Sequence, residues 1–294
     1  MSVCELCPRK CGADRAVQRG LCGAEDMPRV AKIMLHDWEE PFISGSRGSG
    51  AVFFSGCNLG CVYCQNHIIR DGGIGDVMDA GALAQAYLKL QQDGVHNINL
   101  VTAAPYVPQI VESLRHAKAF GLTIPVVYNT SGYECVEAIR QLDGLVDVYL
   151  PDWKYVSPLL SKKFSNAADY CEVASVAIEE MFRQVGELRL DENGIAVRGL
   201  VIRHLILPGC ADDSRSVLNE IVNRFPLSTH ISLMSQYTPQ VYTTEFPLNR
   251  RITQREYDRV ISYALSLGLH NILIQQRDSA QSTYTPQFTK QIKI

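Results

Sequence analysis

Seven of the ten cysteines in this chain fall into two tight groups, and closely spaced cysteines can hold a metal ion or an iron–sulfur cluster. The first group is Cys4, Cys7, Cys11 and Cys22, and the second group is Cys57, Cys61 and Cys64. The start of the chain has no apolar signal region, so a reducing, cytoplasmic location is expected. In such a compartment clustered cysteines bind metals more often than they form disulfides.

The second group has the spacing Cys-x3-Cys-x2-Cys and directly follows an apolar run. Three thiolates at this spacing can hold three irons of a cubane cluster, and no fourth cysteine follows in the loop. The fourth iron is then open to an outside ligand, as in a reactive metal centre. Gly56 and Gly60 permit the positive φ angles of a tight metal-binding loop. Two alternatives are a zinc knuckle that borrows Cys135 or Cys210, and a thioredoxin-like loop, which needs only Cys-x-x-Cys.

Apolar runs and amphipathic stretches alternate after residue 50 and must position these cysteines. Strands are predicted over residues 51–55, 97–102, 124–129, 146–150, 200–207 and 230–235, with a short last strand at 271–275. Helices are predicted over residues 79–92, 107–119, 173–185 and 253–267, the last with a capping box from Thr253 and Glu256. This alternation is typical of a parallel α/β sheet, as a full or partial barrel or as an open doubly wound sheet.

The first 50 residues have a different composition, with four cysteines, many charges and a Gly/Ser stretch at 44–50. We therefore expect a small Cys-rich metal-binding segment of short loops at 1–50 and an α/β core at 51–294. Ligands bind at the C-terminal ends of the strands in both α/β architectures. The residues that follow the predicted strands should thus surround one site.

The overall composition excludes several classes of protein. The chain has 294 residues, 46% of them hydrophobic, and a formal net charge of −3. Intrinsic disorder is therefore not expected, and the basic character of a nucleic-acid binder is absent. The sequence has no run of 18 apolar residues, so no membrane span is expected.

The cysteine loop after the first predicted core strand resembles the defining motif of the radical S-adenosylmethionine (SAM) superfamily. Other phrases resemble its branch of pyruvate formate-lyase activating enzymes, specifically the PflX-type members. These phrases lie at residues 38–41, 53–57, 64–66, 97–101, 128–133, 146–155 and 203–208. The resemblance implies a partial (β/α)6 parallel barrel and a [4Fe–4S] cluster held by Cys57, Cys61 and Cys64, with SAM chelating the open iron.

The resemblance also implies a reaction. In this superfamily one electron from the reduced cluster cleaves SAM to methionine and a 5′-deoxyadenosyl radical that abstracts hydrogen. The implied task is to activate a glycyl radical-type protein partner by taking hydrogen from a glycine Cα, with a flavodoxin- or ferredoxin-type electron donor. Radical modification of another peptide or of a small molecule is the alternative enzyme. An iron–sulfur carrier or metal-binding protein without catalysis is the alternative from another class, and it would form no 5′-deoxyadenosine.

Asp152 and Lys154 follow the fourth predicted strand at i and i+2, so their side chains point the same way. The resemblance implies that Lys154 pairs with the SAM carboxylate and that Asp152, with the segment at Asn129, binds a monovalent cation. Asn129 stands where relatives have a carboxylate, so this cation site is less negative. The alternative for Asp152 and Lys154 is a surface ion pair.

Two further strand ends would contact SAM, by the same resemblance. Ser131 or Asn129 hydrogen-bonds the ribose, unless residues 130–132 form only a turn. Thr102 begins the segment that meets the SAM ammonium. Ala104 replaces an acid there, which leaves backbone carbonyls as the acceptors.

Arg203 and Tyr63 complete the expected SAM contacts. Arg203 and His204 are adjacent strand residues that face opposite sides, and Arg203 is expected to face the SAM carboxylate. Tyr63 offers its backbone to adenine in relatives, and packing in the core is the equal alternative. His36, Glu39 and Glu40 are expected to lie in a solvated loop, and the alternative is that they line the entrance of the cleft.

The first cysteine group supplies four thiolates within a short stretch, which suits tetrahedral zinc or a second iron–sulfur cluster. The phrase Cys22-Gly23 resembles half of a metal knuckle and favours zinc or a rubredoxin-like site. The run from Cys4 through Cys7 to Cys11 favours a cluster. The spacing alone leaves both open.

Overall fold

The computed structural model describes residues 3–240, 243, 245–274 and 288, which form one β-sheet flanked by helices. The strands are β1 (Arg29–His36), β2 (Ser49–Phe54), β3 (Asp76–Val77), β4 (Ile98–Val101), β5 (Val126–Thr130), β6 (Val148–Pro151), β7 (Arg189–Leu190), β8 (Ala196–Leu205), β9 (His230–Met234) and β10 (Ile272–Ile274). Their order is β10-β9-β8-β6-β5-β4-β2-β1-β3, and β7 pairs with β8.

The central strands confirm the predicted parallel sheet. Neighbouring strands from β2 through β4, β5, β6, β8 and β9 to β10 are parallel. Each matches a predicted strand, although residue 275 of the predicted last strand lies outside the described residues. Within the described chain no strand ladder joins β10 to β3, so the sheet is not closed. This agrees with a partial barrel.

Helices connect the parallel strands. They are α1 (Pro41–Ser44), α2 (His67–Arg70), α3 (Ala80–Gln92), α4 (Val107–Ala119), α5 (Val136–Arg140), α6 (Pro158–Ser165), α7 (Tyr170–Val185), α8 (Ala211–Arg224) and α9 (Gln254–Ser266). The four predicted helices correspond to α3, α4, α7 and α9. Asp79 caps α3, and the predicted capping box at α9 is present. Among the described helices, none is long and apolar enough to cross a membrane.

The N-terminal segment is only partly built from loops, which corrects the expectation for residues 1–50. Its second half contains β1, which pairs antiparallel with β2 and extends the sheet beyond the parallel strands. A boundary after residue 50 therefore falls inside β2. The sequence pattern did not reveal β1, because it holds Arg29, Lys32 and His36 and is buried only in part.

Helix α1 packs inside the curved sheet. Phe42 and Ile43 are buried against Val127, Val148 and Val201 of three parallel strands. The Asn97 side chain also donates to the Ile43 carbonyl at 2.7 Å. The turn that precedes α1 is thereby held in the interior of the sheet, beneath the strand ends.

Candidate active site

A cavity of about 760 Å³ lies at the C-terminal ends of the parallel strands. Its lining includes every residue predicted for the cluster and SAM sites. These residues are Cys57, Cys61, Tyr63, Cys64, Thr102, Asn129, Ser131, Asp152, Lys154 and Arg203. They come from the last residues of five strands or from the loops that follow them, which meet because parallel strands end at one edge of a sheet.

The cysteine loop leaves β2 in a conformation that depends on Gly56. This residue has φ +93°, and a Cβ there would lie 2.8 Å from the Cys22 carbonyl oxygen. The Cys57 N–H donates to the same carbonyl at 2.9 Å. The Tyr106 hydroxyl donates to the Ser55 carbonyl at 2.9 Å and fixes the end of the strand. The first cysteine is therefore positioned by the N-terminal segment as well as by β2.

The three thiols fit a cubane cluster better than a single metal ion. They line one cavity, yet no three His, Cys, Asp or Glu side chains in the described residues are grouped so that they could hold one metal ion. In a cubane each thiolate binds a different iron, so the sulfurs need not converge on one point. The zinc knuckle with Cys135 or Cys210 thus finds no support in the described residues.

The surroundings of the sulfurs suit bound thiolates. The Ser165 hydroxyl donates to the Cys61 sulfur at 3.1 Å. Burial, together with the nearby Cys61 and Cys57 sulfurs, raises the pKa of the Cys64 thiol to about 12. Burial also raises the pKa of Cys61. A bound metal centre would supply the positive charge that keeps these sulfurs deprotonated.

Asp152 and Lys154 form a buried ion pair, so the surface-pair alternative is wrong. The Lys154 Nζ lies 2.6 Å from Asp152 Oδ2, with the side chains only 14% and 17% exposed. Arg203 Nη2 lies 3.0 Å from Asp152 Oδ1 on the other side. Although burial opposes ionisation, Arg203 and Lys154 hold the pKa of Asp152 below its usual value. The aspartate therefore bridges two cations.

The structure does not support the expected monovalent cation. Arg203 Nη2 donates to the Asn129 Oδ1 at 2.5 Å and also contacts Asp152. The guanidinium thus takes the oxygens that the resemblance assigned to a cation. Asn129 in place of a carboxylate suits this arrangement, because an amide oxygen accepts from Arg203 without adding charge.

Glu39 and Glu40 are buried at this network, which corrects the expectation of a solvated loop. Glu39 Oε2 lies 3.4 Å from Arg203 Nη1, and Glu39 Oε1 accepts from the Asn99 side chain at 3.1 Å. Burial raises the pKa of Glu39, and Arg203 opposes that rise. His36, also expected in the loop, is buried and lines the cavity. The sequence offered these residues only as the alternative lining of the cleft entrance, with two acids between Trp38 and Pro41 as the signal.

Thr102 lies at the end of β4 with φ +61°, in the left-handed region that β-branched residues rarely adopt. Its N–H donates to the Asn129 carbonyl at 3.0 Å, which ties two neighbouring strand ends together. Such strain costs on the order of 1–3 kcal/mol and is concentrated at functional sites. Ala103 and Ala104 are buried behind Thr102.

Ser131 lines the cavity within a tight turn. The Tyr170 hydroxyl donates to the carbonyls of Ser131 and Asp152, at 2.8 and 2.7 Å. Gly132 has φ +76°, and a Cβ there would lie 2.7 Å from the Asp152 carbonyl oxygen. The turn and the end of β6 are thus held in contact.

Arg203 and His204 face opposite sides of β8. Arg203 lines the cavity, whereas His204 is buried between the Trp153 carbonyl and the Ser214 hydroxyl. The Tyr63 ring is buried, and its hydroxyl accepts a hydrogen bond from Tyr155 at 2.6 Å. Tyr63 therefore packs in the core and also borders the cavity.

The opposite rim of the cavity was not predicted. It is formed by the segment after β9, which includes Gln236, Thr238 and Gln240. Phe288 also lines the cavity, and its ring contacts the Phe53 ring edge-to-face at 5.5 Å between centroids. The sequence signal for this rim was the set of polar residues that follow β9, the sixth of the parallel strands.

The first cysteine group lies outside this cavity, in the turns that precede β1. Cys22 is buried, while Cys4, Cys7 and Cys11 are half-buried. Cys135, which had no assigned role, lies close to Cys7.

Comparisons with known proteins agree with this arrangement. A sequence model of the Radical SAM superfamily matches residues 51–210. An uncharacterized protein of Methanocaldococcus jannaschii is 26% identical over 275 residues, which span 90% of this chain and 75% of that protein. The structure of TsrM from Kitasatospora setae, a radical S-adenosylmethionine methyltransferase with tryptophan and a SAM analogue bound, has a TM-score of 0.52 and 11% identity. It covers 78% of this chain, which spans only 55% of TsrM, so this likeness concerns the fold.

Proposed function

Because the chain belongs to the radical SAM superfamily, we propose that it cleaves SAM at the three-cysteine loop and takes a hydrogen atom from a glycine of a protein partner. Membership of the superfamily implies SAM-dependent radical chemistry at an iron–sulfur cluster. The glycine partner, with the PflX-type activating role, is the further step. The observation that carries the proposal is one cavity lined by Cys57, Cys61 and Cys64 together with Lys154 and Arg203.

A [4Fe–4S] cluster held by Cys57, Cys61 and Cys64 would supply the electron that splits the sulfonium of SAM into methionine and a 5′-deoxyadenosyl radical. This chain's residues orient SAM and exclude water. Lys154 contacts the SAM carboxylate, because its ammonium is fixed by Asp152 yet borders the cavity. The hydroxyl of Ser131 contacts the ribose.

The charge of the cavity supports SAM as its ligand. The buried network contains three carboxylates, from Asp152, Glu39 and Glu40, against the two cations Lys154 and Arg203. Burial raises the pKa of Glu39 and Glu40, so the network carries one negative charge in excess only when both are ionised. SAM carries a sulfonium, an ammonium and a carboxylate, so it brings one net positive charge. Opposite net charges favour binding in a site shielded from water.

An open sheet supports a protein substrate. The ladder ends at β10 on one side and at β3 on the other within the described residues, so the strand ends are not enclosed by a complete ring. A peptide loop can enter through such a gap and bring its glycine to the cavity.

A flavodoxin- or ferredoxin-type donor would supply electrons. The ten cysteines, none in a disulfide, support a reducing, cytoplasmic setting.

The first experiment tests SAM cleavage. The protein is reconstituted anaerobically with iron and sulfide, reduced with dithionite and given SAM, and 5′-deoxyadenosine is quantified. Cys57→Ala, Cys61→Ala or Cys64→Ala should each abolish the product, because each removes one corner of the cluster. Cys171→Ala, on α7 and outside the cavity, is the matched control and should retain activity. Turnover in a loop variant would reject the cluster assignment.

A second experiment tests the glycine substrate. The active enzyme is mixed with total protein from cells grown on glycine that carries deuterium at Cα. Abstraction from glycine should transfer deuterium to 5′-deoxyadenosine. Normal yields of 5′-deoxyadenosine without deuterium would reject the glycine assignment and leave SAM cleavage intact. Radical modification of another peptide or of a small molecule would then be the surviving enzyme function.

A further inference from the structure

The first cysteine group lies in turns that are closed by short-range hydrogen bonds. The Cys4 N–H donates to the Ala13 carbonyl, and the Gly12 N–H donates back to the Cys4 carbonyl, both at 3.1 Å. The Lys10 N–H donates to the Cys7 carbonyl at 3.0 Å. The described residues before β1 contain no helix or strand. The fold of this segment therefore lacks the backbone ladders that stabilise the rest of the chain.

The cysteine side chains of this segment turn toward one another. A Cβ on Gly20 would lie 3.5 Å from the sulfur of Cys11 and 3.5 Å from that of Cys22. The thiols of Cys4 and Cys11 are in hydrogen-bonding contact. Cys7 interacts with Cys22 and Cys4. The sulfurs of Cys11 and Cys22 thus lie on either side of Gly20, with Cys4 and Cys7 in interaction range of them.

Backbone amides point at these sulfurs in a repeated pattern. The N–H groups of Arg9, Ala13 and Ala24 interact with the sulfurs of the cysteines two residues before them. The Leu21 N–H adds a second donor to Cys11. Hydrogen bonds of this kind favour the charged thiolate, and they surround the sulfurs of iron–sulfur clusters. Backbone donors thus surround the sulfurs of Cys7, Cys11 and Cys22.

We propose that Cys4, Cys7, Cys11 and Cys22 bind a second iron–sulfur cluster of the [4Fe–4S] type. In the described residues, neither cysteine group is arranged to hold a single metal ion. The two groups share this spread arrangement, and the superfamily places a cubane at the other one. Zinc would need four sulfurs converging on one point. This assignment does not depend on the proposed function.

The second site is in direct contact with the cluster loop. The Cys22 carbonyl accepts the Cys57 N–H at 2.9 Å, so one hydrogen bond joins a cysteine of each group. Arg9 reinforces the contact, because its side chain donates to the carbonyls of Asn58 at 2.8 Å and Ser165 at 2.9 Å. The hydroxyl of Ser165 in turn donates to the sulfur of Cys61. Two reduced clusters in these positions are close enough for their electron spins to interact.

The test counts metal in variants that each retain one cysteine group. Reconstituted wild-type protein should contain about eight irons and eight sulfides, two cubanes per chain. The variant Cys57→Ala/Cys61→Ala/Cys64→Ala should keep about four of each. Cys4→Ser/Cys7→Ser should also keep about four, and its EPR signal should still change with SAM. Spin coupling should occur only in the reduced wild type, and Cys171→Ala should match the wild type.

Three outcomes would overturn the proposal. One zinc and no iron in the triple variant would make the site a zinc site, and no metal there would leave it a set of thiols. Loss of iron with Cys135→Ala would show that the ligand set is not these four cysteines. If the triple variant does not fold, the iron lost from Cys4→Ser/Cys7→Ser decides the question. Absence of any SAM response in the wild type would instead count against the proposed function.

Discussion

Arg203 is the residue that organises the cavity. Its guanidinium contacts Asp152, Asn129 and Glu39, which lie directly after β6, in β5 and in the turn before α1. Five donors in one plane allow arginine to contact several acceptors at once, which a lysine ammonium does less well. The Lys154 ammonium can then turn to the ligand, because Arg203 keeps Asp152 in place when Lys154 engages a carboxylate.

Lys154→Ala should weaken SAM binding by about 10- to 100-fold, since a hydrogen bond to a charged group contributes about 1.5–3 kcal/mol. Cluster iron should be unchanged, because Lys154 is not an expected cluster ligand and acts on Cys61 and Cys64 through its charge. Binding is measured by anaerobic titration of the reconstituted protein with SAM. Lys162→Ala, at an exposed position on α6, is the control. An unchanged dissociation constant would reject Lys154 as the carboxylate partner.

Glu134 should make stability depend on pH near neutrality. The side chain is 2% exposed and accepts from the hydroxyls of Tyr128 and Thr130, with no cation among its hydrogen-bond donors. Burial raises the pKa of Glu134 from its ordinary 4.5 to about 7. The folded protein thus holds a proton that the unfolded chain releases. Its stabilising effect is complete below pH 4.5 and is lost as pH rises through about 7.

Between pH 6 and pH 8.5 the wild type should lose about 1.4 kcal/mol of stability relative to Glu134→Gln, which cannot titrate. The free energy of unfolding is measured by anaerobic urea denaturation of both proteins at both pH values. Parallel pH profiles for the two proteins would mean that Glu134 is ionised throughout this range.

Among the elements, α9 shows how local sequence positions a distant loop. Thr253 and Glu256 cap its first turn reciprocally. The Glu256 carboxylate also accepts from the Gly209 N–H at 2.7 Å, in the loop after β8. The cap therefore links the first turn of α9 to the loop after β8, at the edge of the sheet where the cavity lies.

Thr253→Ala should lower the free energy of unfolding by about 1 kcal/mol, because it leaves an N-terminal amide of α9 without its partner. Thr253→Ser keeps the hydroxyl and should retain most of that stability. Urea denaturation compares the three proteins. Equal losses in both variants would show that the methyl group, and not the cap, matters at this position.

On the scale of the whole molecule, helix α1 and the turns before β1 pack the N-terminal segment against the rest of the chain. Helix α1 packs within the curve of the parallel strands, and Cys22 belongs to the same buried cluster as Leu59 and Cys61. Cβ atoms at Gly23 or Gly72 would lie 2.3 or 2.2 Å from the opposite backbone, so only glycines allow this contact. The N-terminal segment is therefore packed on the cluster loop and is not a separate body.

Binding of SAM should stabilise the whole fold. At 100 times its dissociation constant, SAM should raise the free energy of unfolding by about 2.7 kcal/mol, because only the folded protein assembles the cavity. Thermal unfolding is followed anaerobically with and without SAM. The Cys57→Ala variant should show a smaller shift, since the cluster contact is lost. An equal shift in that variant would place the binding of SAM away from the loop.

Features that depend on neighbours in the chain could be predicted from the amino-acid order alone. Cys57, Cys61 and Cys64 meet because a short loop brings them together, whatever the rest of the chain does. Asp152 and Lys154 share a side because strand residues two apart do so. The alternation of strands and helices predicted the parallel sheet. It thereby predicted the edge of the sheet at which the ten residues expected to bind the cluster and SAM line one cavity. Helix α8 was not predicted, because few of its residues are apolar and buried and most of the others are polar.

Contacts between residues that are far apart in the chain could not be predicted in this way. Glu39 and Arg203 are 164 positions apart, and their pairing depends on α1 entering the sheet and on the place of β8 in the strand order. The bond between Cys22 and Cys57 likewise depends on how the turns before β1 pack on the loop after β2. Local patterns carry no information on strand order or on packing between layers. The charge balance of the cavity and the contact of the two cysteine groups therefore emerge only in the folded chain.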